Sequence, residues 1–283
     1  MNEEEFELIG GDGLELFGRS WLPENSAPDA IICLVHGLSE HSGRYKAFAE
    51  FFTSNKIGIF TFDIRGHGQT KGKRGHAKYD LLLEDVENLL KEARKEFNET
   101  PLFLFGQSLG GNIVSSYLLR KNTSEVAGAI LSAAWLKLAF EPPAFKVKLA
   151  GIVRHIFPSY LENSQINAAA LIKDPAVIAA YNNDPLVHDK ISASLFFGAV
   201  TSGESNIENA FKLTVPTLVI HGKADKLTSW QASEEFAKNA GKLAEIQLFD
   251  EQMHEPHNDF EKEEILNSML GWIVRQIEVT TVI

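Results

Sequence analysis

The stretch Phe105-Gly106-Gln107-Ser108-Leu109-Gly110-Gly111 decides the predicted fold of this chain. It holds a G-x-S-x-G pattern between a short apolar run and an amphipathic stretch, which is the strand–turn–helix context that a nucleophile elbow requires. Glycines suit these positions because a serine in a strained turn leaves no room for larger neighbours, and because the strand and helix approach closely. A turn with a chance serine is the alternative. The matching pattern on both sides favours Ser108 as a nucleophile.

Short apolar runs alternate with longer amphipathic stretches on both sides of this motif, which is typical of a parallel sheet covered by helices on both faces. An antiparallel pair is predicted first, at residues 5–9 and 14–21, joined by Gly10-Gly11-Asp12-Gly13. Buried strands follow at residues 30–35, 57–62, 102–105, 126–131, 217–220 and 245–249. Helices are predicted at residues 44–54, 79–97, 109–121, 230–240 and 260–277. The sequence therefore predicts an α/β-hydrolase fold with a mostly parallel, eight-stranded sheet.

One long interval breaks the alternation because it has helical pattern and no strand-like run. We predict a helical cap at residues 134–209, inserted into a core of residues 1–133 and 210–283. A cap helix with an apolar stripe is predicted to begin after Pro142-Pro143. The stripe comprises Phe145, Leu149, Ile152, Val153, Ile156 and Phe157. Packing onto the core is the ordinary expectation for most of it, and an acyl-chain pocket or transient membrane contact is the alternative.

A serine nucleophile needs a base, and in this fold the order along the chain is Ser, then Asp or Glu, then His. Asp225 and His254 each lie in a loop just past a predicted strand, at the carboxyl ends where such sheets gather catalytic groups. We predict that His254 is the base and that Asp225 orients it.

Four other residues compete for these two roles. Asp250 follows its strand too closely to reach across from the neighbouring strand, and Asp63 is out of chain order. His221 belongs to a strand end, where satisfying loop hydrogen bonds is the usual role. His257 is the nearest competitor of His254.

Acyl transfer also needs N–H donors aimed at the developing oxyanion. In this fold they are the amide after the nucleophile and one amide from the loop after the third strand. Those amides are predicted at Leu109 and Leu38, and their side chains are free to face the pocket.

Six segments spread along nearly the whole chain carry a family resemblance. They are residues 36–45, residues 62–70, the elbow, Asp184-Pro185-Leu186-Val187, residues 221–225 and His254-Glu255. With them the chain resembles the monoglyceride lipase and lysophospholipase-like branch of the α/β-hydrolases. The resemblance implies the triad Ser108, Asp225 and His254, the oxyanion amides of Leu38 and Leu109, and a cap.

The resemblance also implies polar residues where the alcohol part of an ester would lie, and it maps them onto Glu40, Arg44 and His257. The alternative is that the same three residues form a solvent-exposed Glu–Arg pair and a surface histidine. One departure is Gln107, where relatives often carry histidine. It leaves the triad untouched because that side chain is not among the reacting groups.

Composition narrows the partners and the location. The formal net charge of -11 gives a field that repels phosphate backbones, so nucleic acid is not an expected partner. The first residues lack the basic start and apolar run of a signal peptide, so we expect a cytoplasmic protein. Cys33 lies within an apolar run and is expected to be a buried, inert thiol rather than a nucleophile.

These observations predict an ester hydrolase without cofactor or metal that acts on a monoacylglycerol or a similar single-chain lipid ester. The acidic charge favours a neutral alcohol group over a phosphate-bearing one. A lysophospholipase or broad carboxylesterase is the alternative within the class, and a catalytically silent binding module is the alternative outside it. The complete predicted triad argues against a catalytically silent binding module.

Overall fold

The central feature of the fold is an eight-stranded sheet, seen in a computed structural model that describes residues 1–141, 151–153, 156–164 and 166–281. Its strands are β1 (Asn2–Ile9), β2 (Glu15–Leu22), β3 (Ala30–Val35), β4 (Ile57–Phe62), β5 (Leu102–Gln107), β6 (Val126–Ser132), β9 (Thr217–Gly222) and β10 (Ala244–Phe249). They are ordered β1-β2-β4-β3-β5-β6-β9-β10. The β1–β2 and β2–β4 pairs are antiparallel and the others are parallel. The predicted α/β-hydrolase sheet is thereby confirmed.

Strand β3 shows why the sheet is covered on both faces. All six of its residues are buried, and alternate side chains point to opposite faces of a strand. One face joins a core cluster through Ile31, Cys33 and Val35. The other face joins a second cluster through Ala30, Ile32 and Leu34. Cys33 is therefore buried as predicted, and burial raises the pKa of its thiol to about 12.

Five helices cover these two faces. They are α1 (Lys46–Ser54), α2 (Tyr79–Glu96), α3 (Leu109–Arg120), α7 (Trp230–Ala240) and α8 (Lys262–Thr281). Side chains of α2, α3 and α7 pack in the first cluster, among them Leu82, Ile113 and Phe236. Side chains of α1 and α8 pack in the second, among them Phe48 and Trp272. The carboxyl ends of β5, β9 and β10 thus lie at one edge of a sheet that is covered on both faces.

The interval between β6 and β9 contains helices and one small two-stranded sheet. Its described elements are β7 (Leu161–Asn163), α4 (Ala168–Leu171), α5 (Pro175–Asn183), β8 (Lys190–Ser192) and α6 (Ala193–Asn209). The expectation that this interval holds no strand is wrong, because β7 and β8 pair antiparallel. Strands of three residues are too short to show a period-two pattern, which explains the difference. The division into core and cap stays a prediction.

The apolar stripe of the predicted cap helix does not pack as expected at three of its positions. Ile152, Ile156 and Phe157 have 61%, 65% and 66% of their surface exposed. Val153 is half-buried. The predicted start at Pro142-Pro143 and the stripe residues Phe145 and Leu149 lie outside the described residues.

Candidate active site

Ser108 occupies a strained turn between β5 and α3. Its φ of 54° and ψ of -114° place a non-glycine residue in the left-handed half of backbone space, which costs energy unless the surroundings hold it. Three backbone hydrogen bonds do so. The Ser108 amide donates to the Ser132 carbonyl over 2.9 Å, and its own carbonyl accepts from the amides of Asn112 at 3.0 Å and Trp135 at 2.9 Å. The turn that the G-x-S-x-G pattern predicts is present.

Two glycines of the elbow are required by close approach of backbone to backbone. A Cβ atom on Gly106 would clash with the carbonyl oxygen of Gly110, and one on Gly110 would clash with the carbonyl oxygen of Val35 in β3. Gly37 lies on the other side, where its Cβ would stand 3.3 Å from the Ser108 Cβ. The loop after β3 therefore lies against the serine.

The loops after β9 and β10 bring Asp225 and His254 together. Asp225 Oδ2 accepts from His254 Nδ1 over 2.7 Å, and Asp225 Oδ1 accepts from the amides of Leu227 at 2.7 Å and Thr228 at 3.2 Å. His254 and Ser108 line the same cavity. The three residues of the predicted triad therefore come from the loops after β5, β9 and β10, at one edge of the sheet.

The electrostatics of the Asp225–His254 pair suit a carboxylate and a basic imidazole. Burial alone would raise the pKa of Asp225, but the charge of His254 and hydrogen bonds from His221 and His254 hold it well below its usual range. Burial alone would lower the pKa of His254, but the Asp225 carboxylate raises it above its usual value.

Asp225 has two further partners that the sequence analysis did not assign to the site. His221 Nε2 lies 3.0 Å from Asp225 Oδ2, and the other ring nitrogen lies 2.8 Å from Ser233 Oγ. The Thr228 hydroxyl lies 2.7 Å from Asp225 Oδ2 and 3.2 Å from His254 Nδ1. His221 lies in β9 four positions before Asp225, and Thr228 lies three positions after it; this proximity in the sequence is the signal that could have found them.

The two acidic competitors of Asp225 lie elsewhere. Asp250 pairs with Lys223 at 2.7 Å, and 76% of its side chain is exposed. Asp63 is buried and accepts from the amide and hydroxyl of Ser42 and from the Gln69 amide, at 2.6 to 2.8 Å. Asp63 therefore fastens the loop after β3 to the loop after β4.

The predicted oxyanion donors lie on the two sides of the serine. Leu38 lines the cavity with Ser108, and Leu109 is the first residue of α3. In the described part of the chain, neither amide donates to another protein atom. His36 Nε2 accepts from the Ile64 amide at 2.9 Å, so Nδ1 carries the proton and donates to the Gly37 carbonyl at 2.7 Å. This neutral histidine, whose pKa burial lowers, fixes the loop that carries the Leu38 amide.

The cavity above Ser108 opens to solvent. It is lined by Gly37, Leu38, Glu40, Gln107, Ser108, Ile166, Leu171, Tyr181, His254 and Glu255. The lining combines the apolar side chains of Leu38, Ile166 and Leu171 with the carboxylates of Glu40 and Glu255. An ester has an apolar and a polar part, and this lining offers contacts for both.

Glu40 and Arg44 form a buried ion pair that also includes Glu255. Arg44 Nη1 donates to Glu40 at 2.5 Å and to Glu255 at 2.9 Å, and Nη2 donates to Glu255 at 2.7 Å. At most 8% of any of these side chains is exposed, so the alternative of a solvated pair is wrong. Burial alone would raise the pKa of Glu255, but Arg44 lowers it to about 2.

Of these three residues, Glu40 and Glu255 line the cavity whereas Arg44 lies behind them. The ring of Tyr181 covers the Arg44 guanidinium, with 4.7 Å between Cζ and the ring centroid. The sequence analysis missed Glu255 and Tyr181 as site residues. The sequence feature that could have identified Glu255 is its position directly after His254. For Tyr181 it is the position just before the Asp184-Pro185-Leu186-Val187 motif.

His257 is buried away from this cavity. Its ring stacks on Tyr45 at a centroid distance of 5.2 Å and contacts Phe48 and Phe105 edge-on. Neither ring nitrogen has a hydrogen-bond partner among the described residues, and burial lowers its pKa to about 4. His257 is not among the residues that line the cavity, and its implied contact with an alcohol group stays a prediction. Its burial excludes the surface-histidine alternative.

Gln107 connects the elbow to the histidine loop. Its Nε2 donates to the His254 carbonyl over 2.8 Å. Through this bond the side chain holds the loop that carries the proposed base. Its buried Oε1 has no partner among the described residues.

The described residues hold no group of three or more His, Cys, Asp or Glu side chains arranged to bind a metal ion. Within the same part of the chain, no helix has the length and apolar character needed to span a bilayer.

Comparison with known proteins identifies the family. The model of the family described as serine aminopeptidase, S33, matches residues 26–261. The chain is 32% identical over 96% of its length to an uncharacterized abhydrolase domain-containing protein of Dictyostelium discoideum, of which it spans 29%. It is 30% identical to a monoacylglycerol lipase of Mycolicibacterium smegmatis, over 96% of this chain and 98% of that one.

Among solved structures, the chain is similar to the monoacylglycerol lipase of Paleococcus ferrophilus. The TM-score is 0.85 at 30% identity, over 93% of this chain and 100% of that one. The resemblance that the sequence motifs indicate is confirmed by these similarities. The chain belongs to the serine aminopeptidase S33 family of hydrolases.

Proposed function

We propose that this protein is a serine hydrolase that cleaves a monoacylglycerol, or a similar single-chain lipid ester, into fatty acid and alcohol. The observation that carries the proposal is the Ser108 turn, which faces the same cavity as a buried His254–Asp225 pair. The names of the Mycolicibacterium and Paleococcus relatives support the substrate class.

In the acylation step, Ser108 Oγ attacks the ester carbonyl while His254 Nε2 takes the hydroxyl proton. Asp225 holds the proton on Nδ1, which leaves the Nε2 lone pair free to act as the base. The Leu38 and Leu109 amides stabilise the negative charge on the carbonyl oxygen. As the carbon–oxygen bond to the alcohol breaks, His254 returns its proton to the leaving oxygen.

In the deacylation step, a water molecule takes the place of the alcohol. His254 accepts a proton from this water as its oxygen attacks the acyl-serine carbonyl, and then gives that proton to Ser108 Oγ. The products are a fatty acid and the regenerated serine.

The apolar part of the substrate is proposed to meet Leu38, Ile166 and Leu171, and the alcohol is proposed to meet the Glu40 and Glu255 side of the cavity. The exposed side chains of Ile152, Ile156 and Phe157 support a transient membrane contact of the proposed cap, residues 134–209. Such a contact would give the enzyme access to a lipid ester held in a bilayer.

Labelling with a fluorophosphonate probe, followed by assays on short-chain and long-chain monoacylglycerols, tests this proposal. The wild type is expected to bind the probe covalently and to hydrolyse both esters. Ser108→Ala should lose labelling and about 10⁶-fold in kcat, because the nucleophile acts as a unit with its base. The matched control Ser205→Ala changes an exposed serine on α6 and should behave as wild type. Labelling of Ser108→Ala at the wild-type rate would contradict the proposal.

A further inference from the structure

A second imidazole lies against the carboxylate of the proposed triad. His221 Nε2 is 3.0 Å from Asp225 Oδ2, the oxygen that also accepts from His254 Nδ1 over 2.7 Å. The other nitrogen of His221, Nδ1, lies 2.8 Å from Ser233 Oγ on α7. Both ring nitrogens therefore meet side chains, whereas a histidine at a strand end ordinarily bonds to loop backbone. His221 and Ser233 are not among the residues that line the cavity.

These contacts determine which nitrogen of the His221 ring carries a proton. The pKa of Asp225 lies well below its usual range, and an ionised carboxylate only accepts hydrogen bonds, so Nε2 carries a proton and donates it. The Ser233 hydroxyl is buried and has Nδ1 as its one hydrogen-bond partner among the described residues, so it donates to Nδ1. A ring nitrogen that accepts has no proton. His221 is therefore neutral.

His221 is the more constant of the two further donors to Asp225. The Thr228 hydroxyl lies 2.7 Å from Asp225 Oδ2 but also 3.0 Å from the Ala133 carbonyl oxygen, and its single proton can serve only one of them. The Nε2 proton of His221 has Asp225 as its nearest acceptor, because Thr228 Oγ1 is farther away at 3.3 Å. His221 thus donates to Oδ2 whichever way the threonine hydroxyl turns.

Burial makes the contact between His221 and Asp225 strong. Neither side chain has any exposed surface, so water does not compete for the bond. A hydrogen bond to an ionised group is also stronger than one between neutral groups. A donor on Oδ2 stabilises the carboxylate and weakens its attraction for the proton that it shares with His254. The His221 bond thereby limits how far Asp225 raises the pKa of His254.

We propose that His221, oriented by Ser233, is a positioning residue of the hydrolysis: it holds the Asp225 carboxylate against His254 and lowers the basicity of that histidine. The inference rests on the proposed function and adds two residues that do not line the cavity. The neutral state of His221 is essential to this role. An imidazolium in its place would neutralise Asp225 and remove the charge that stabilises protonated His254 during the reaction.

Kinetics of His221→Phe and His221→Gln on hexanoyl glycerol, used below its micelle concentration, test the proposal. Phenylalanine fills the space of the ring without a donor, whereas glutamine keeps an N–H that can reach Asp225. In metal sites, loss of an outer hydrogen-bond partner costs about 10- to 100-fold in activity, and we expect a loss of that size in kcat for His221→Phe, with KM unchanged. His221→Gln should regain most of it. Equal losses in the two variants would overturn the proposal.

The pH profile separates this role from a purely structural one. Without the donor on Oδ2, Asp225 attracts the proton of His254 more strongly, so the acid limb of kcat/KM in His221→Phe should move to higher pH by about 0.5 unit. Loosened packing alone would weaken the bond between Asp225 and His254 and would not move the limb upwards. The position of the limb is independent of the fraction of protein that is folded. A limb that stays in place or moves to lower pH would overturn the proposal.

The other titratable groups around His254 stay unchanged in this comparison. Glu255 in the same loop and Glu40 in the loop after β3 also raise the pKa of His254, and His257 lies near it. All three are present in the wild type and in His221→Phe. The difference between the two pH profiles therefore reports the bond from His221.

His76→Phe is the matched control. His76 is half-buried and also meets a serine hydroxyl through Nδ1, with 2.9 Å to Ser192 Oγ, but its partner is not Asp225. This variant should keep the kcat and the acid limb of the wild type. An acid limb that moves equally in His76→Phe and His221→Phe would overturn the proposal, because the shift would not depend on contact with Asp225.

Ser233→Ala tests whether the serine acts through His221, and it removes only one oxygen atom from the core. We expect kcat to fall about threefold in the otherwise wild-type chain and to fall no further in the His221→Phe background. Equal losses in both backgrounds would overturn the role assigned to Ser233. Wild-type protein that neither reacts with the fluorophosphonate probe nor hydrolyses hexanoyl glycerol would instead contradict the proposed function, so the two failures are distinguishable.

Discussion

At the scale of single residues, Asp225 is the proposed carboxylate that selects one tautomer of His254. Its Oδ2 accepts from Nδ1 over 2.7 Å, which leaves the lone pair on Nε2. Asp225→Asn replaces this acceptor by an amide that can stabilise the wrong tautomer, so we expect kcat on hexanoyl glycerol to fall about 10⁴-fold. Steady-state kinetics on the purified variant measures this fall.

Asp250→Asn provides the control for that substitution, because Asp250 is the exposed carboxylate that pairs with Lys223. Its kcat should stay close to that of the wild type. A larger loss in Asp250→Asn than in Asp225→Asn would show that the assignment of the orienting carboxylate is wrong.

The pH dependence of the reaction reports the charge around His254. Asp225, Glu255 and Glu40 all raise the pKa of His254 against the opposing effect of burial. Since the base acts only when neutral, kcat/KM should be lost as the pH falls through this raised pKa, at a pH above the usual value for histidine. Glu255→Gln removes one of the charges and should move the acid limb of the pH profile to lower pH.

The exposed neighbour Glu251 supplies the control for Glu255. Glu251→Gln should leave the acid limb where it is. An acid limb that stays in place in Glu255→Gln would mean that this carboxylate does not act on the base.

At the scale of elements, sequence patterns predicted structure formed by residues that are adjacent in the chain. They missed contacts between residues that are far apart in it. The β5–elbow–α3 unit could be read from seven residues because strand, turn and helix are adjacent in sequence. The ion pair between Arg44 and Glu255 joins side chains that are 211 positions apart, and the sequence around either residue does not indicate the other. The β7–β8 pair was missed because its strands are only three residues long. The position of His257 depended on an aromatic cluster drawn from three separate elements.

The segment at residues 151–157 leads to a prediction about lipid access. Phe157 is exposed, so Phe157→Ser should change the free energy of unfolding by less than about 0.5 kcal/mol. If this segment contacts a bilayer, the variant should hydrolyse monoacylglycerol in vesicles more slowly while hydrolysing soluble hexanoyl glycerol as before. Comparing the two rates tests the contact.

Phe211 provides a matched control on another part of the surface. It has 67% of its surface exposed, close to the 66% of Phe157, and follows α6. Phe211→Ser should leave the vesicle rate unchanged. Equal losses in the two variants would point to a general effect of surface hydrophobicity rather than a contact at residues 151–157.

At the scale of the whole molecule, His257 and His188 contribute to the response of stability to acid. Burial lowers the pKa of His257 and of the half-buried His188 to about 4. In the unfolded chain both would titrate near the ordinary value of about 6.5. Between these two pH values the unfolded state binds more protons at these two residues, so their contribution to the free energy of unfolding falls as the pH falls.

His257→Phe isolates one part of this dependence. His257 is stacked on Tyr45 at an interplanar angle of 9°, and no described residue bonds to its ring nitrogens, so phenylalanine can take its place among the aromatic side chains without losing a hydrogen bond. A fully buried neutral histidine with this shift should cost about 2 kcal/mol of stability between pH 7 and pH 5. Urea unfolding at both pH values should therefore show a pH-dependent loss smaller by about 2 kcal/mol in the variant than in the wild type. The same loss in both proteins would mean that His257 binds its proton as easily in the folded chain as in the unfolded one, and the ring would then have to reach water or an acceptor in the native state.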